Sequence, residues 1–498
     1  MMLSGDSTAG KHRGTFRGVA ETLISKPEMG AQYQEHIAES LSKQGLKVLR
    51  PNEDDYAARQ NSYWCNIAKE LTPALIVCPT SAEQVSIVIK ALAESDQAFA
   101  IRSGGHAPFS GVNNIEGGVT IDLSRLTWVR FDPETETVDL GPGGLWSDVY
   151  NTLAKHGRVV SGGRDGTVGV GGLIMGGGYS FFMARRGFAC DDVVEFEVVL
   201  ADGSIVTATA HDREDLYKVL KGGSNNFGIV TNIRMNVFKC QNVWGGLNFF
   251  TEQTTPGAIE ALVDFTKNCH NEEDSHLLFF FTYIALLKQL ILSIAYVQVA
   301  GIERAPAYNK FLSLTPFKDT TKLTTVAAVV SEYDIAPSGF YNTFYTVSVK
   351  NDTQIITEAS KLHGQLPLKR HFSRQSANAG GNILGIENQP VDGLLLVLVV
   401  MVSTREQDAF ARSKTEEYAG KLTAFASTFE HGILPWVYMN YADRSQKVLQ
   451  SYGEDNVKKM KEVAVKYDPD GVFQRLCPGG FKLADVKDWE LHDVCHLE

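Results

Sequence analysis

Apolar positions recur along this chain in two rhythms. From residue 74 to 237, short apolar runs alternate with amphipathic stretches, the signature of strands and helices in turn. ALIVCP predicts a short buried strand. SAEQVSIVIKAL at 81–92 predicts an amphipathic helix, with Thr80 or Ser81 as N-cap and Glu83 in its first turn. AFAIRSGG predicts a second strand that runs into a glycine turn. GVTIDLSRL, WVRFD and TVDLGPG add short strands, 145–155 a second helix, and VVEFEVVLADGSIVTAT a hairpin around Asp202-Gly203. Residues 227–237 close this unit, and 28–70 before it read as helical and polar, with an aromatic spot at Tyr63-Trp64.

Beyond Cys240 the runs lengthen and become aromatic. Residues 277–299 are long enough to span a bilayer, with Lys288 their one charge. Their Phe, Tyr, Ile and Val content instead favours two strands, 277–284 and 290–299, joined through Lys288-Gln289. LLLVLVVMV at 394–402 is too short for a bilayer and predicts a buried central strand. From Trp436 the texture changes again, to WVYMNYAD, a helix near 457–467, and YDPDGVF. The pattern predicts an α+β protein, with a domain at 241–431 inserted between 1–240 and 432–498.

Composition narrows the function. With 498 residues, 44% hydrophobic, the chain can bury enough apolar surface for folded domains. Its net charge of −11 makes nucleic acid a poor partner. The seven cysteines are scattered and form no C-x-x-C pair, which gives no support to a zinc ribbon or a redox dithiol. The first thirty residues carry no apolar run, so an intracellular, reducing compartment is expected. Secretion with a trimmed leader is the alternative, given the sequon Asn351-Asp352-Thr353. His492, Cys495 and His496 are either a tail metal site or solvated terminal residues.

Two glycine clusters carry the chemistry. Residues 161–180 (SGGRDGTVGVGGLIMGGGYS) contain nine glycines interleaved with Val168, Val170, Leu173, Ile174 and Met175. Such a run brings backbone N–H groups close to an anion or cofactor, and the apolar residues would be wasted in a flexible linker. The second cluster, Arg102-Ser103-Gly104-Gly105-His106 with Ser110-Gly111, leaves a strand and turns sharply. Neither cluster is a Rossmann or P-loop fingerprint, so the usual nicotinamide and ATP sites lack support.

RSGGHAPFSG, DLSRL, GTVGVGGLIMGGGYS, FACDDVVEFEVVLADGS, GGSNNFGIVT, YMNYAD and YDPDGVF follow one another in this order. Together they resemble the berberine-bridge-enzyme-like FAD-linked oxidases of the vanillyl-alcohol-oxidase / p-cresol-methylhydroxylase superfamily, over about 73–238 and again 436–473. The resemblance implies an FAD-binding domain at 1–240 (p-cresol-methylhydroxylase-type core about 70–240) built of two α/β subdomains. It also implies a substrate domain at 241–431, with an antiparallel sheet flanked by helices, and a segment at 432–498 that returns to the FAD domain.

It further implies FAD tied covalently through His106. Asp165 stands where many relatives carry a second, cysteine tether, which implies a single bond; Ser180 replaces a customary glycine. Arg102, Ser103, Gly104, Gly105 and Ser110 are implied at the pyrophosphate turn. Thr167, Gly171, Gly172, Gly177 and Gly178 would line the flavin and its ribityl chain, and Val168 would govern oxygen access. Gly228 and Ile229 would lie near the adenine-side phosphates, with Asp191 and Val193 close by. Tyr438, Asn440 and Tyr441 would sit beside the isoalloxazine; strand alternation would put Tyr438 and Asn440 on one face and Tyr441 on the other. Each tyrosine could be a base or mere packing, and a phenol needs a cation or donors to act as base at neutral pH. The sequence does not name that helper.

The implied activity is hydride removal from an alcohol, amine or activated C–H of a natural-product-like small molecule, with O2 reduced to H2O2. A dehydrogenase using another acceptor, or a cyclase or lyase using the flavin as scaffold, remain alternatives. Phe279, Phe280, Phe281, Tyr283, Phe340, Tyr341, Phe344 and Tyr345 suggest a ring-bearing substrate, or belong to the core.

Overall fold

A computed structural model describes residues 27–240, 242–284, 289–333, 337–363 and 381–486. Lys288, His492, Cys495, His496 and the side chain of Tyr283 lie outside the described residues.

The first sheet has strand order Lys47–Leu49, Leu75–Cys78, Val119–Asp122, Phe99–Arg102; the last three run parallel and the first is an antiparallel edge. Helix Ala82–Glu94 buries Val85, Val88, Ile89 and Leu92 in a core shared with Leu75, Val77, Phe99 and Val119. Of the two N-cap candidates Ser81 does the capping, its Oγ accepting from Gln84 N at 3.3 Å. Segment 28–70 is not all helix. Leu46, Val48 and Leu49 bury into the adjacent cores and draw Lys47–Leu49 onto the sheet edge, between helices Pro27–Lys43 and Asp54–Asn61.

The second sheet is antiparallel, in the order Val129–Asp132, Thr137–Leu140, Ile229–Asn236, Val193–Val199, Ile205–Thr209. Its last two strands form the expected hairpin, with Ser204 N donating to Asp202 Oδ1 at 2.8 Å in the turn. The tail rejoins the first sheet. Asp468 accepts from Val472 N and Phe473 N at 2.7 Å each, Phe99 N donates to Leu476 O at 2.7 Å, and Phe473 packs edge-on against Phe99.

The long apolar stretch is a hairpin. Strands Ser275–Ile284 and Gln289–Gln298 pair antiparallel along their length, and the second also pairs with Val243–Thr251. Among the described residues no helix is long and apolar enough to cross a membrane. Strand Gly393–Val402 departs from expectation: it pairs with Tyr341–Lys350, which pairs in turn with Ile433–Leu434, so it lies at the edge of that ladder and not its centre. Its unbroken apolar run has another cause. Leu394, Leu396 and Leu398 face a core that contains Ile355, Tyr418 and Leu422 of helices Thr353–His363 and Arg405–Ala426, while Leu395 and Val397 face the core that holds Trp436 and Tyr438. Both faces are covered by other layers.

Candidate active site

The two glycine clusters meet backbone to backbone. A Cβ on Gly104 would fall 2.6 Å from Gly169 Cα, and one on Gly169 would fall 2.5 Å from Gly104 N, so neither position admits a side chain without movement. Gly105 turns the chain at φ +73°, with Arg102 Nε only 2.9 Å from where its Cβ would be. Two cavities flank this contact. One of about 260 Å³ runs from His106 and Asn440 to Ser224, Asn225 and Gly228; another of about 550 Å³ is walled by Trp64, Leu145 and Thr167. Ser103, Gly104 and His106 border both.

Of the residues expected at the site, Ser103, Gly104, Gly105, His106, Val168, Gly171, Gly172, Gly228, Ile229 and Asn440 share the wall of the first cavity, and Arg102 and Thr167 line the second. Arg102 turns away from the first cavity. Its guanidinium lies 3.5 Å from the Tyr63 ring centroid and donates to Arg59 O and Ser62 Oγ at 2.8 Å each, beside the Arg59–Asp122 ion pair. Asp191 is buried away from that wall, accepting from Phe188 N at 2.9 Å and Asn382 Nδ2 at 3.0 Å, while Val193 O accepts from the Tyr217 hydroxyl. Gly177 and Gly178 take positive φ behind the wall, and Ser110 also lies off it. Residues that sequence reasoning missed include Ser224 and Asn225, at the head of the quoted GGSNNFGIVT run, and Gly480-Phe481 of the tail.

His106 lies flat on Trp64, with ring centroids 4.2 Å apart and planes 12° from parallel. Its Nε2 is buried with no hydrogen-bond partner among the described residues. Burial holds the imidazole below its ordinary pKa, opposed in part by the charge of Asp165. Asp165 itself accepts from Thr167 N at 2.8 Å and Thr167 Oγ1 at 2.7 Å.

Tyr438, Asn440 and Tyr441 do not lie on a strand. Residues Met439–Tyr441 form a 3-10 turn, so strand alternation does not apply, although Tyr438 and Asn440 do meet while the Tyr441 hydroxyl turns to Arg164. The cause is a reach back to the glycine run. Tyr438 Oη accepts from Gly178 N at 3.1 Å, Tyr179 N at 3.0 Å and Asn440 Nδ2 at 3.0 Å. Burial drives its phenol further up from the ordinary value. Asn440 also donates to Leu173 O at 3.0 Å, and a Cβ on Gly176 would lie 2.0 Å from its Oδ1. Tyr441 points elsewhere: its hydroxyl accepts from Arg164 Nη2 at 3.0 Å, and its ring stacks with Phe344, which packs edge-on to Trp64. Arg164, from the GGRDG loop, is a cation beside that hydroxyl which the sequence did not single out.

The cavities fit a flavin dinucleotide on several counts. Gly172 has open space where a Cβ would be, and the wall beside His106 is backbone and small side chains. At the far end Lys482, buried, donates to Asn225 O and Oδ1 at 3.0 Å each and braces the Asn225–Gly228 wall, burial holding its amine below the ordinary pKa.

Known proteins identify the cofactor as FAD. A family profile described as an FAD binding domain matches residues 73–209. The chain is 36% identical over 466 residues to an FAD-dependent monooxygenase, drtC, of Aspergillus calidoustus, covering 89% of this chain and 88% of that one. The chain belongs to the family of FAD-linked oxidoreductases. The family resemblance is also 31% to the bifunctional solanapyrone synthase of Alternaria solani, over 88% of this chain and 86% of that one. The FAD-linked fold is shared with 6-hydroxy-D-nicotine oxidase of Arthrobacter nicotinovorans (TM-score 0.75, 17% identical, 88% of this chain and 97% of that one). It is shared as well with berberine bridge enzyme of Eschscholzia californica (TM-score 0.72, 17% identical, 91% of this chain and all of that one). FAD is therefore the cofactor of this oxidoreductase.

Proposed function

We propose that this FAD-linked oxidoreductase oxidises a small molecule by hydride removal, with its cofactor bonded covalently through His106 alone. The observation that carries the reading is the junction at His106: a buried, neutral imidazole with an unpartnered nitrogen, bordering both cavities. A neutral ring keeps a lone pair free to form the bond, and stacking on Trp64 fixes its direction. Asp165 offers no sulfur for a second bond. Ser103, Gly104 and Gly105 would hold the pyrophosphate, Gly171 and Gly172 the flavin side, and Asn225, Gly228 and Ile229 the adenosine side. Val168 would shield the flavin face.

When bound, the isoalloxazine would supply a two-electron acceptor for a substrate hydride, with O2 as the final oxidant and hydrogen peroxide as its product. The chain's own part is the proton and the alignment. Tyr441 would relay the proton of the substrate heteroatom, releasing its own proton to water as it takes that one up, and the Arg164 guanidinium would stabilise the negative charge left on the substrate oxygen. Tyr438, with three donors already on its oxygen, is a positioning residue that holds Gly178, Tyr179 and Asn440 in place. Residues 241–431 would form the substrate side, where Phe344 contributes an open ring while Phe279 and Phe281 belong to the core. Monooxygenase relatives make oxygen insertion the reading to exclude. Product mass decides it: the proposal expects loss of two hydrogens with stoichiometric peroxide, and incorporation of 18O from O2 would overturn it.

A further inference from the structure

Arg164 is a buried cation with no carboxylate in ion-pair range among the described residues. It is 5% exposed, its Nη2 donates to Tyr441 Oη at 3.0 Å, and its Nη1 lies 3.1 Å from His276 Nε2. Its guanidinium carbon stands 5.0 Å from the Tyr179 ring centroid. All three are neutral groups, and among the described residues no carboxylate lies within ion-pair distance of it. Asp165, next in the chain, spends its oxygen on Thr167. A guanidinium taken out of water with only neutral acceptors is left under-compensated, and an anion brought to it is strongly favoured.

The corner is reachable. Tyr441, His276 and Phe344 keep part of their surface open, while Phe181, Tyr179 and Tyr333 behind them are buried. Asn440, next to Tyr441 in the chain, lines the first cavity, and Trp64, edge-on to Phe344, lines the second. Stacked and edge-on rings of this kind accept a flat conjugated molecule between them.

We infer that Arg164, with Tyr441 and His276, forms an oxyanion site that selects a flat conjugated substrate carrying an anionic oxygen, such as a carboxylate or enolate, and rejects amines. The inference rests on the flavin reading above, since the flavin reports occupancy of the site. It narrows the substrate class to acidic oxygen compounds. The corner that accepts the substrate's proton is also the one that holds its oxygen.

The test uses the flavin-loaded protein and three probes of one shape: benzoate, benzyl alcohol and benzylamine. Each is titrated while the visible flavin spectrum is followed. Benzoate should bind about tenfold tighter than benzyl alcohol or better, with benzylamine weakest. Arg164→Met should remove the preference while Arg164→Lys keeps part of it, both at unchanged flavin content. Equal binding of the three probes by the wild-type protein, or a preference that survives in Arg164→Met, overturns the inference. The wild-type titration decides by itself if a variant fails to fold. A colourless wild-type protein would defeat the flavin reading instead, whereas a yellow one without preference defeats only the oxyanion site.

Discussion

Tyr438 and Tyr441 stand three positions apart and differ in every respect that matters for proton transfer. The first is 1% exposed, and its oxygen ties two backbone amides and one side-chain amide. Tyr438→Phe would leave the Gly178 and Tyr179 amides buried without an acceptor, at a cost of about 1–3 kcal/mol. A lowered thermal midpoint with flavin still bound is the expected result; an unchanged midpoint would contradict the positioning role. Tyr441 instead accepts from a cationic donor and is only partly buried. Tyr441→Phe should slow flavin reduction by substrate about a hundredfold or more in stopped-flow, with substrate binding little changed. A wild-type rate would remove Tyr441 from the proton path.

At the scale of elements, both glycine loops line one cavity, but their close approach could not be seen in either alone. Gly104 and Gly169 touch only because the turn after strand Phe99–Arg102 and the loop before helix Val170–Met175 converge in space. Gly104→Ala should therefore lower flavin content and thermal stability together, measured by absorbance ratio and melting; full flavin content would contradict the contact. Short strands, the Ser81-capped helix and both hairpins were legible because period and turn chemistry are local signals. The YMNYAD segment was misread as a strand because its turn is fixed by amides some 260 residues away in sequence. The edge strand Gly393–Val402 looked central because burial by neighbouring layers leaves the same apolar run as burial within a sheet. Ser81→Ala tests the local kind of signal, with an expected loss of about 1 kcal/mol in a denaturant melt. No loss would mean that the cap is dispensable.

For the whole molecule, the tail closes the site that the first half opens. Asn440 locks against Gly176, Gly480 and Phe481 complete the cavity wall, and Phe473 anchors the tail on Phe99. The motifs around His106 were readable because the family keeps them together along the chain. Arg164 was not, since a lone charge inside a glycine loop gives no hint of what it will face until Tyr441 and His276 arrive from distant segments. One measurement bears most directly on the central claim. After acid precipitation of the purified protein, the yellow colour should stay in the pellet, and peptide mapping should find the flavin mass on the fragment containing His106. Colour released wholly into the supernatant, or a flavin mass on any other fragment, would contradict it.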